Sequence, residues 1–366
     1  MYLTAWLVTA ILPTLVSQLA GDEVVVFYPT CAHLSDDGRN WTIPVHGVVY
    51  EPERDSLRRS LAVALMRRAV AVEDGTPEAA IFDRRVGLFL VDHERGKEIS
   101  IRLGTGEHPI GRSRASGHFF GELQLPVGDA ARLLRGRQTP GNWISFQAVT
   151  RENDHRRFVG RAQLIESRGL SVISDIDDTI KDSQVGDRKA LLQNTFVRDF
   201  RPVPGMAELY RGWARQGVVF HYVSGSPWQL YLPLSEFLEK EGFPAGSMHL
   251  KQFRLKDPTA FSLLASQEET KLGAIEPILT AFPHRRFVLV GDSGEQDPEI
   301  YGKIARKYGQ QIAAILIRNV TGEAAQGERL RRALEGIEPR RWQLFRWPEQ
   351  LREVPHRLSQ PQEAAG

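Results

Sequence analysis

Leu170-Ser171-Val172-Ile173-Ser174-Asp175-Ile176-Asp177-Asp178-Thr179 is a short β-prone run that stops abruptly in three carboxylates. Its lack of clean polar alternation predicts a strand buried on both faces, as in a parallel sheet. In open parallel sheets ligands bind beyond the carboxyl ends of the strands, so the residues just after each such run deserve the closest reading. Three carboxylates in four positions repel one another and gain little structurally. Such a group calls for a cation, and oxygen donors favour Mg²⁺ over soft metals. On an extended chain Asp175 and Asp177 face the same side while Asp178 points elsewhere.

Working outward, VVFHYVS (218–224), FVLVG (287–291) and AAILIR (313–318) are further buried strands. Segments 201–217, 233–242 and 269–282 carry helical periodicity between them. Alternation of strand and helix predicts an α/β fold, a Rossmann-like parallel sheet with helices on both faces. The second strand ends in Ser224-Gly225-Ser226, a hydroxyl followed by glycine, which suits an anion held close to backbone. The third ends in Asp292-Ser293-Gly294-Glu295-Gln296-Asp297, a second acidic loop able to supply further metal ligands. Lys271 opens the intervening helix, where an ammonium and a helix N-terminus together suit phosphate. The gaps between these elements leave no room for a large independent cap domain.

Acidic loop, hydroxyl, lysine and acidic loop, in that order, resemble the haloacid dehalogenase superfamily of phosphohydrolases. Its first motif, DxDx[TV], is matched by Asp175, Asp177 and Thr179. The longer strings SDIDDTIK, NTF, PVPGMAELY, FHYVSGSPWQL and GDSGEQDPEIY are similar to the actin-patch-type phosphatidate phosphatase family over roughly 170–320. The segment before them is similar to that family's usual upstream domain. The resemblance implies a haloacid dehalogenase-like catalytic domain without a large cap, with Asp175 as nucleophile and Asp177 as general acid and base. It implies Mg²⁺ held by Asp175, the main-chain carbonyl of Asp177, Asp292 and Asp297, the last through a water or by steadying Lys271. Thr179, Ser224, Gly225 and Lys271 would surround the phosphate, Thr179 chiefly by shaping the loop. The implied substrate is phosphatidate at a membrane surface, released as diacylglycerol and phosphate. The competing expectations are another phosphomonoester (a sugar, nucleotide or phosphoprotein) and a catalytically silent scaffold. Trp228, Tyr231 and Leu232 are candidates to touch acyl chains, against the plainer expectation that Trp228 is core. His249, Lys251, Arg254 and Lys256 form a basic cluster that suits a head group or simply solvent.

Residues 23–166 read mostly as short β runs, among them VGLFLVD (86–92), KEISIRL (97–103) and HFFGELQLP (118–126), which predict a β-rich, sandwich-like domain. Within it, residues 56–71 look helical with a basic face from Arg58, Arg59, Arg67 and Arg68; a solvated face outweighs a membrane contact. Residues 1–21 carry no charged side chain and read as an export signal, with cleavage near Ala20. A retained anchor or a misassigned start, which would leave the protein cytoplasmic, are the alternatives. The expected organisation is thus 1–21 signal, 23–166 β-rich, 170–355 catalytic and 356–366 disordered tail. RWQLFRWPEQL (341–351) is expected to pack back on the sheet.

With 42% hydrophobic and 25% charged residues, the 366-residue chain has an ordinary globular composition. Lys+Arg 47 against Asp+Glu 45 gives no support to a nucleic-acid partner. A single Cys excludes an internal disulfide and a thiolate zinc cage. GDSG at 291–294 mimics a serine-protease string, but it follows a strand in an α/β context and is followed by Glu295.

Overall fold

Alternating burial shapes the first half of the chain. Its strands are β1 (Val24–Tyr28), β2 (Thr30–Leu34), β3 (Asn40–Glu51), β4 (Asp92–His93), β5 (Glu98–Leu103), β6 (Gly106–Arg112), β7 (His118–Pro126), β8 (Trp143–Ala148) and β9 (Val159–Leu164). Helices α1 (Leu57–Val70) and α2 (Pro77–Gly87) lie between β3 and β4, and α3 (Val127–Leu134) follows β7. The computed structural model describes residues 16–52, 57–135, 141–252 and 267–359, without the side chains of 57–62 and 359. The nine strands form one hydrogen-bonded path, β1-β3-β2-β9-β8-β5-β6, with β4 and β7 also pairing with β3. One set of alternate side chains builds the core, in which Phe27 meets Phe119 and Phe146 edge-on at centroid distances of 5.6 and 5.2 Å. Just ahead of the anticipated cleavage point, Leu19 is buried in this core and Ser17 N donates to Val149 O at 2.8 Å.

Of the run 86–92 only Asp92 is in a strand, as the start of β4; the rest is the end of α2 and the turn after it. Thr76 caps α2, Pro77 occupies its first turn, and Val86 and Phe89 are buried at and just past the helix end. A short apolar run does not by itself distinguish strand from buried helix, and here the N-cap and proline decide it. Arg67 of the basic helix face pairs with Asp74 and Asp83, so it is occupied within the chain. Arg58, Arg59, Arg254, Lys256, residues 1–15 of the expected export segment and residues 360–366 of the tail lie outside the described side chains.

The second half is built from β10 (Leu170–Ser174), α4 (Arg188–Phe196), α5 (Met206–Ala214), β11 (Val219–Pro227), α6 (Tyr231–Lys240), β12 (Gly246–Lys251), α7 (Gln267–Ala281), β13 (Arg286–Asp292), α8 (Asp297–Lys307), β14 (Ile312–Arg318), α9 (Glu328–Ala333), β15 (Trp342–Phe345) and α10 (Val354–Ser359). Six strands lie parallel in the order β12-β11-β10-β13-β14-β15. Successive residues of β10 and β13 face opposite layers. Val172, Val288 and Val290 join the core with α5 and α6, while Ile173 and Leu289 join the core with α7 and α8. Both faces are therefore covered, which accounts for the unalternated strands. The winding direction reverses between the adjacent strands β10 and β13, the place where such sheets open a crevice. Residues 341–351 add the edge strand β15 and bury Phe345 and Leu351.

The halves share side chains. Val70, Phe82, Val86 and Phe89 of the α1–α2 region belong to the same core as Val172 and Phe196. Met248 N donates to Pro29 O at 3.0 Å. Trp228 is buried with Tyr28, Val48, Tyr50 and Val91, so it is a junction residue and not part of a mouth. Cys31, His221 and His249 bring donor atoms within 4.8 Å of one another at this junction. The Ser247 hydroxyl already bonds His221 Nδ1 at 2.8 Å and His249 Nε2 at 2.9 Å. Among the described residues no helix is long and apolar enough to cross a membrane.

Candidate active site at the strand ends

The first acidic turn is held in shape by its own backbone. Ile180 N and Lys181 N both donate to Ile176 O at 3.0 Å, and Asp178 N donates to Lys181 O at 2.7 Å. Asp178 takes φ +51°, a left-handed conformation that aspartate tolerates better than most residues. Its carboxylate accepts from Ser183 N, Gln184 N and Val185 N at 2.7, 2.8 and 2.7 Å. Asp178 is thus the structural member of the trio. Asp175 and Asp177 are left for chemistry.

Asp175 leaves β10 fully buried, its N–H bonded to Val290 O of β13 at 2.9 Å. Thr179 Oγ1 donates to Asp175 Oδ2 at 3.2 Å, so Thr179 orients this carboxylate directly. Lys271 Nζ sits 2.9 Å from Asp175 Oδ1, 3.1 Å from Glu295 Oε2, and in contact with Asp297 Oδ1. Asp292 ends β13, and its Oδ1 accepts from Gly294 N at 2.6 Å and Glu295 N at 3.1 Å. Asp297 opens α8, where carboxylates suit the helix dipole, and its Oδ2 accepts Asp292 N at 3.2 Å. Gly291 is required for this approach: a Cβ there would lie 2.3 Å from Asp297 Oδ2. Arg329 of α9 clamps the second acidic loop from outside, donating to Ser293 O at 2.6 Å and to Glu299 at 2.7 Å.

Asp175, Asp292, Glu295 and Asp297 present oxygens within 4.8 Å of one another. Four buried carboxylates face one ammonium, which leaves a surplus of negative charge in a poorly solvated site. Burial pushes Asp175 and Asp292 well above the usual carboxylate range, with Asp297 adding to the effect on both, while Lys271 opposes it. Glu295 is raised for the same reason. Burial alone would lower Lys271, but Asp175, Asp297 and Glu295 outweigh it and keep the ammonium charged. Among the described residues, Asp292 Oδ2 is a buried oxygen without a hydrogen-bond partner, while Asp175 Oδ1 faces the Lys271 ammonium. An orphaned buried carboxylate oxygen and an all-oxygen donor set fit a hard divalent cation.

Asp177 occupies a different environment. Burial would raise its carboxyl, but Lys181 Nζ at 2.7 Å and the hydroxyls of Ser183 (2.7 Å) and Ser226 (2.8 Å) outweigh it and hold it well below the ordinary range. Ser224 Oγ, fully buried at the end of β11, donates to Asp177 Oδ2 at 3.1 Å and accepts Ser226 N at 2.9 Å. Gly225 lines the cavity beside Asp177 and Ser226. The tertiary structure thus gathers Asp175, Asp177, Thr179, Ser224, Gly225, Lys271, Asp292 and Asp297 at one end of the sheet. Lys181, Ser183, Ser226 and Glu295 belong to the site as well, although motif reading passes over them. Lys181 follows Asp177 by four positions and Glu295 lies inside the second acidic loop, so both stood within strings that already carried the pattern.

Residues 170–319 match the family model described as "Phosphatidate phosphatase APP1, catalytic domain". Phosphatidate phosphatase APP1 of Saccharomyces cerevisiae is 38% identical over 162 residues, covering 43% of this chain and 27% of that protein. An uncharacterized protein of Schizosaccharomyces pombe is 28% identical over 185 residues, covering 49% and 30% of the two chains. The chain thus spans less than a third of the length of these curated relatives. A solved structure of Parabacteroides merdae β-glucuronidase overlaps 81% of this chain and 34% of that one at 9% identity and a TM-score of 0.27, too distant to bear on the fold. The matched residues 170–319 hold strands β10 to β14 and the acidic crevice at their ends, so this part of the chain is similar to the catalytic domain of the actin-patch-type phosphatidate phosphatases.

Proposed function

We propose that this protein is a Mg²⁺-dependent phosphatidate phosphatase of haloacid dehalogenase-like fold that works through an aspartyl-phosphate on Asp175. What carries the reading is the meeting of Asp175, Lys271 and the Asp292–Asp297 loop, with Asp292 Oδ2 buried and unpartnered among them. The likeness to a relative named phosphatidate phosphatase supports the lipid substrate. Asp175, Asp292, Glu295 and the Asp177 main-chain carbonyl would hold the ion, with Asp297 steadying Lys271. When bound, Mg²⁺ supplies the positive charge that lets an anionic carboxylate approach an anionic phosphate.

Asp175 attacks phosphorus in line, forming a P–Oδ bond as the P–O bond to the glycerol breaks. Asp177 gives its proton to the departing alkoxide. A water then attacks phosphorus, Asp177 takes a proton from it, and the P–Oδ bond breaks to release phosphate and restore Asp175. Lys271, and the Ser224–Gly225–Ser226 backbone with its hydroxyls, position the phosphoryl oxygens. Because Lys181 keeps resting Asp177 ionised, the first proton must enter with the substrate monoanion, whose second ionisation lies near pH 6, or follow loosening of the Lys181 pair. The test is phosphatidate in detergent micelles beside water-soluble phosphomonoesters, each with and without EDTA. Asp175→Asn keeps the shape and removes the attacking charge, so at least a thousandfold loss of turnover is expected, by the rough scale of nucleophile deletions. Substantial Mg²⁺-dependent turnover by that variant would refute the assignment.

A further inference from the structure

A half-open cavity lies beside Asp177 and Ser226 and is lined along one side by α4. Its polar end is the catalytic crevice. Its apolar walls are Leu191, Leu192 and Phe196 of α4 on one side and Pro227 and Leu230 on the other, with Arg188 and Thr195 of α4 and Gln267 and Glu295 also reaching the space. Leu191 and Leu192 are half-buried on the helix and line this space. Most of the exposed lining is nonetheless apolar, a poor match for a sugar or nucleotide, which needs polar groups placed against its hydroxyls. A hydrocarbon needs only shape and apolar surface.

We propose that this groove seats one acyl chain of the glycerolipid whose phosphate lies on Asp175, so that Leu191, Leu192, Phe196 and Leu230 set specificity for chain length. The proposal rests on the phosphatidate reading above. It moves lipid contact from Trp228, which is buried at the junction, to α4. It also gives the first half of the chain a part in recognition. Arg85 of α2 donates to Thr195 O at 2.7 Å and Arg198 O at 2.8 Å, and Phe89 packs edge-on against Phe196 at 5.5 Å, so the α1–α2 region fixes the apolar wall.

The experiment measures kcat/KM of the full chain for a phosphatidate series of increasing acyl length and for p-nitrophenyl phosphate. The same panel is run on Leu191→Trp, which fills the groove, and Leu191→Glu, which puts a charge in its wall. The wild type is expected to gain about fourfold per added methylene until the groove is full. Leu191→Trp should reach its plateau at a shorter chain, and both variants should lower the phosphatidate to p-nitrophenyl phosphate ratio at least tenfold. A ratio and a plateau length that neither variant moves would overturn the groove while leaving phosphatidate hydrolysis standing. A wild type that hydrolyses p-nitrophenyl phosphate but no phosphatidate of any length would overturn both.

Discussion

Lys181 lies 2.7 Å from Asp177 and sets the protonation state in which that carboxyl rests. Removing the ammonium stabilises the protonated carboxyl and raises its pKa. In Lys181→Met the alkaline limb of the phosphatidate pH–rate profile is therefore expected to move to higher pH, and an unmoved limb would deny Asp177 the role of acid. The pair is nearly inaccessible on both sides, so the same substitution should also destabilise the fold by about 3–5 kcal/mol, read by denaturant unfolding. Since the folded pKa of Asp177 is depressed, that contribution is complete above the unfolded value near 3.9 and disappears as pH falls through the folded one. Asp175 and Asp292 act with the opposite sign. Their folded pKa values are raised, the native state binds more protons than the unfolded chain, and metal-free protein should lose stability as pH climbs from about 4 toward their folded values. Thermal unfolding of EDTA-treated protein between pH 5 and 8 should show this fall, and added Mg²⁺ should flatten it. A metal-free melting temperature that rises over that range would contradict the charge surplus.

At the scale of elements, the site is a set of helix and strand ends held in register. Asp297 begins α8 with Pro298 and Glu299 in its first turn, an acidic start that suits the helix dipole. β13 can deliver Asp292 against Asp297 only because residue 291 has no side chain. Gly291→Ala should push Asp297 away from Lys271, lowering activity at least tenfold and stability by roughly 1–3 kcal/mol, as overpacking in a tight core does. The carboxyl end of α4 depends on another element. Arg85 satisfies its Thr195 carbonyl and that of Arg198 just beyond it, and stacks over Phe200 at 3.8 Å. Arg85→Ala leaves those carbonyls unpaired, and a loss of about 2–3 kcal/mol follows from the desolvation penalty. If α4 is the lipid wall, its loosening should raise KM for phosphatidate more than KM for p-nitrophenyl phosphate.

For the whole molecule, the shared core is the decisive feature. Phe82 and Val86 complete a cluster whose other members are Tyr210, Trp213 and Phe237, and Tyr28 and Tyr50 close over Trp228. Each half has a core of its own, but Val70, Phe82, Val86 and Phe89 of the first and Trp228 of the second are buried against the other half. Calorimetry is therefore expected to record one cooperative transition, and two resolved transitions would show that the halves are independent. Phe82→Ala, though distant from the acidic crevice, should lower that single transition by about 3–5 kcal/mol of stability.

Much of this was legible in residue order. The buried run 170–174 followed by carboxylates announced a parallel sheet with a cation-seeking crevice, because strand periodicity and like-charge repulsion are local properties of the chain. The strings around Asp175, Ser224, Lys271 and Asp292 pointed to residues that the fold gathers at one end of the sheet. Other features were settled by partners distant in sequence. Thr76 and Pro77 start α2 locally, but the burial of Val86 and Phe89 at its end comes from core partners more than eighty residues away. Trp228 turned inward because Tyr28 and Tyr50 cover it, and one wall of the apolar groove is α4, whose end is tied to α2 by Arg85. Local pattern fixes which groups a strand end presents, whereas burial depends on what the rest of the chain brings to the other side.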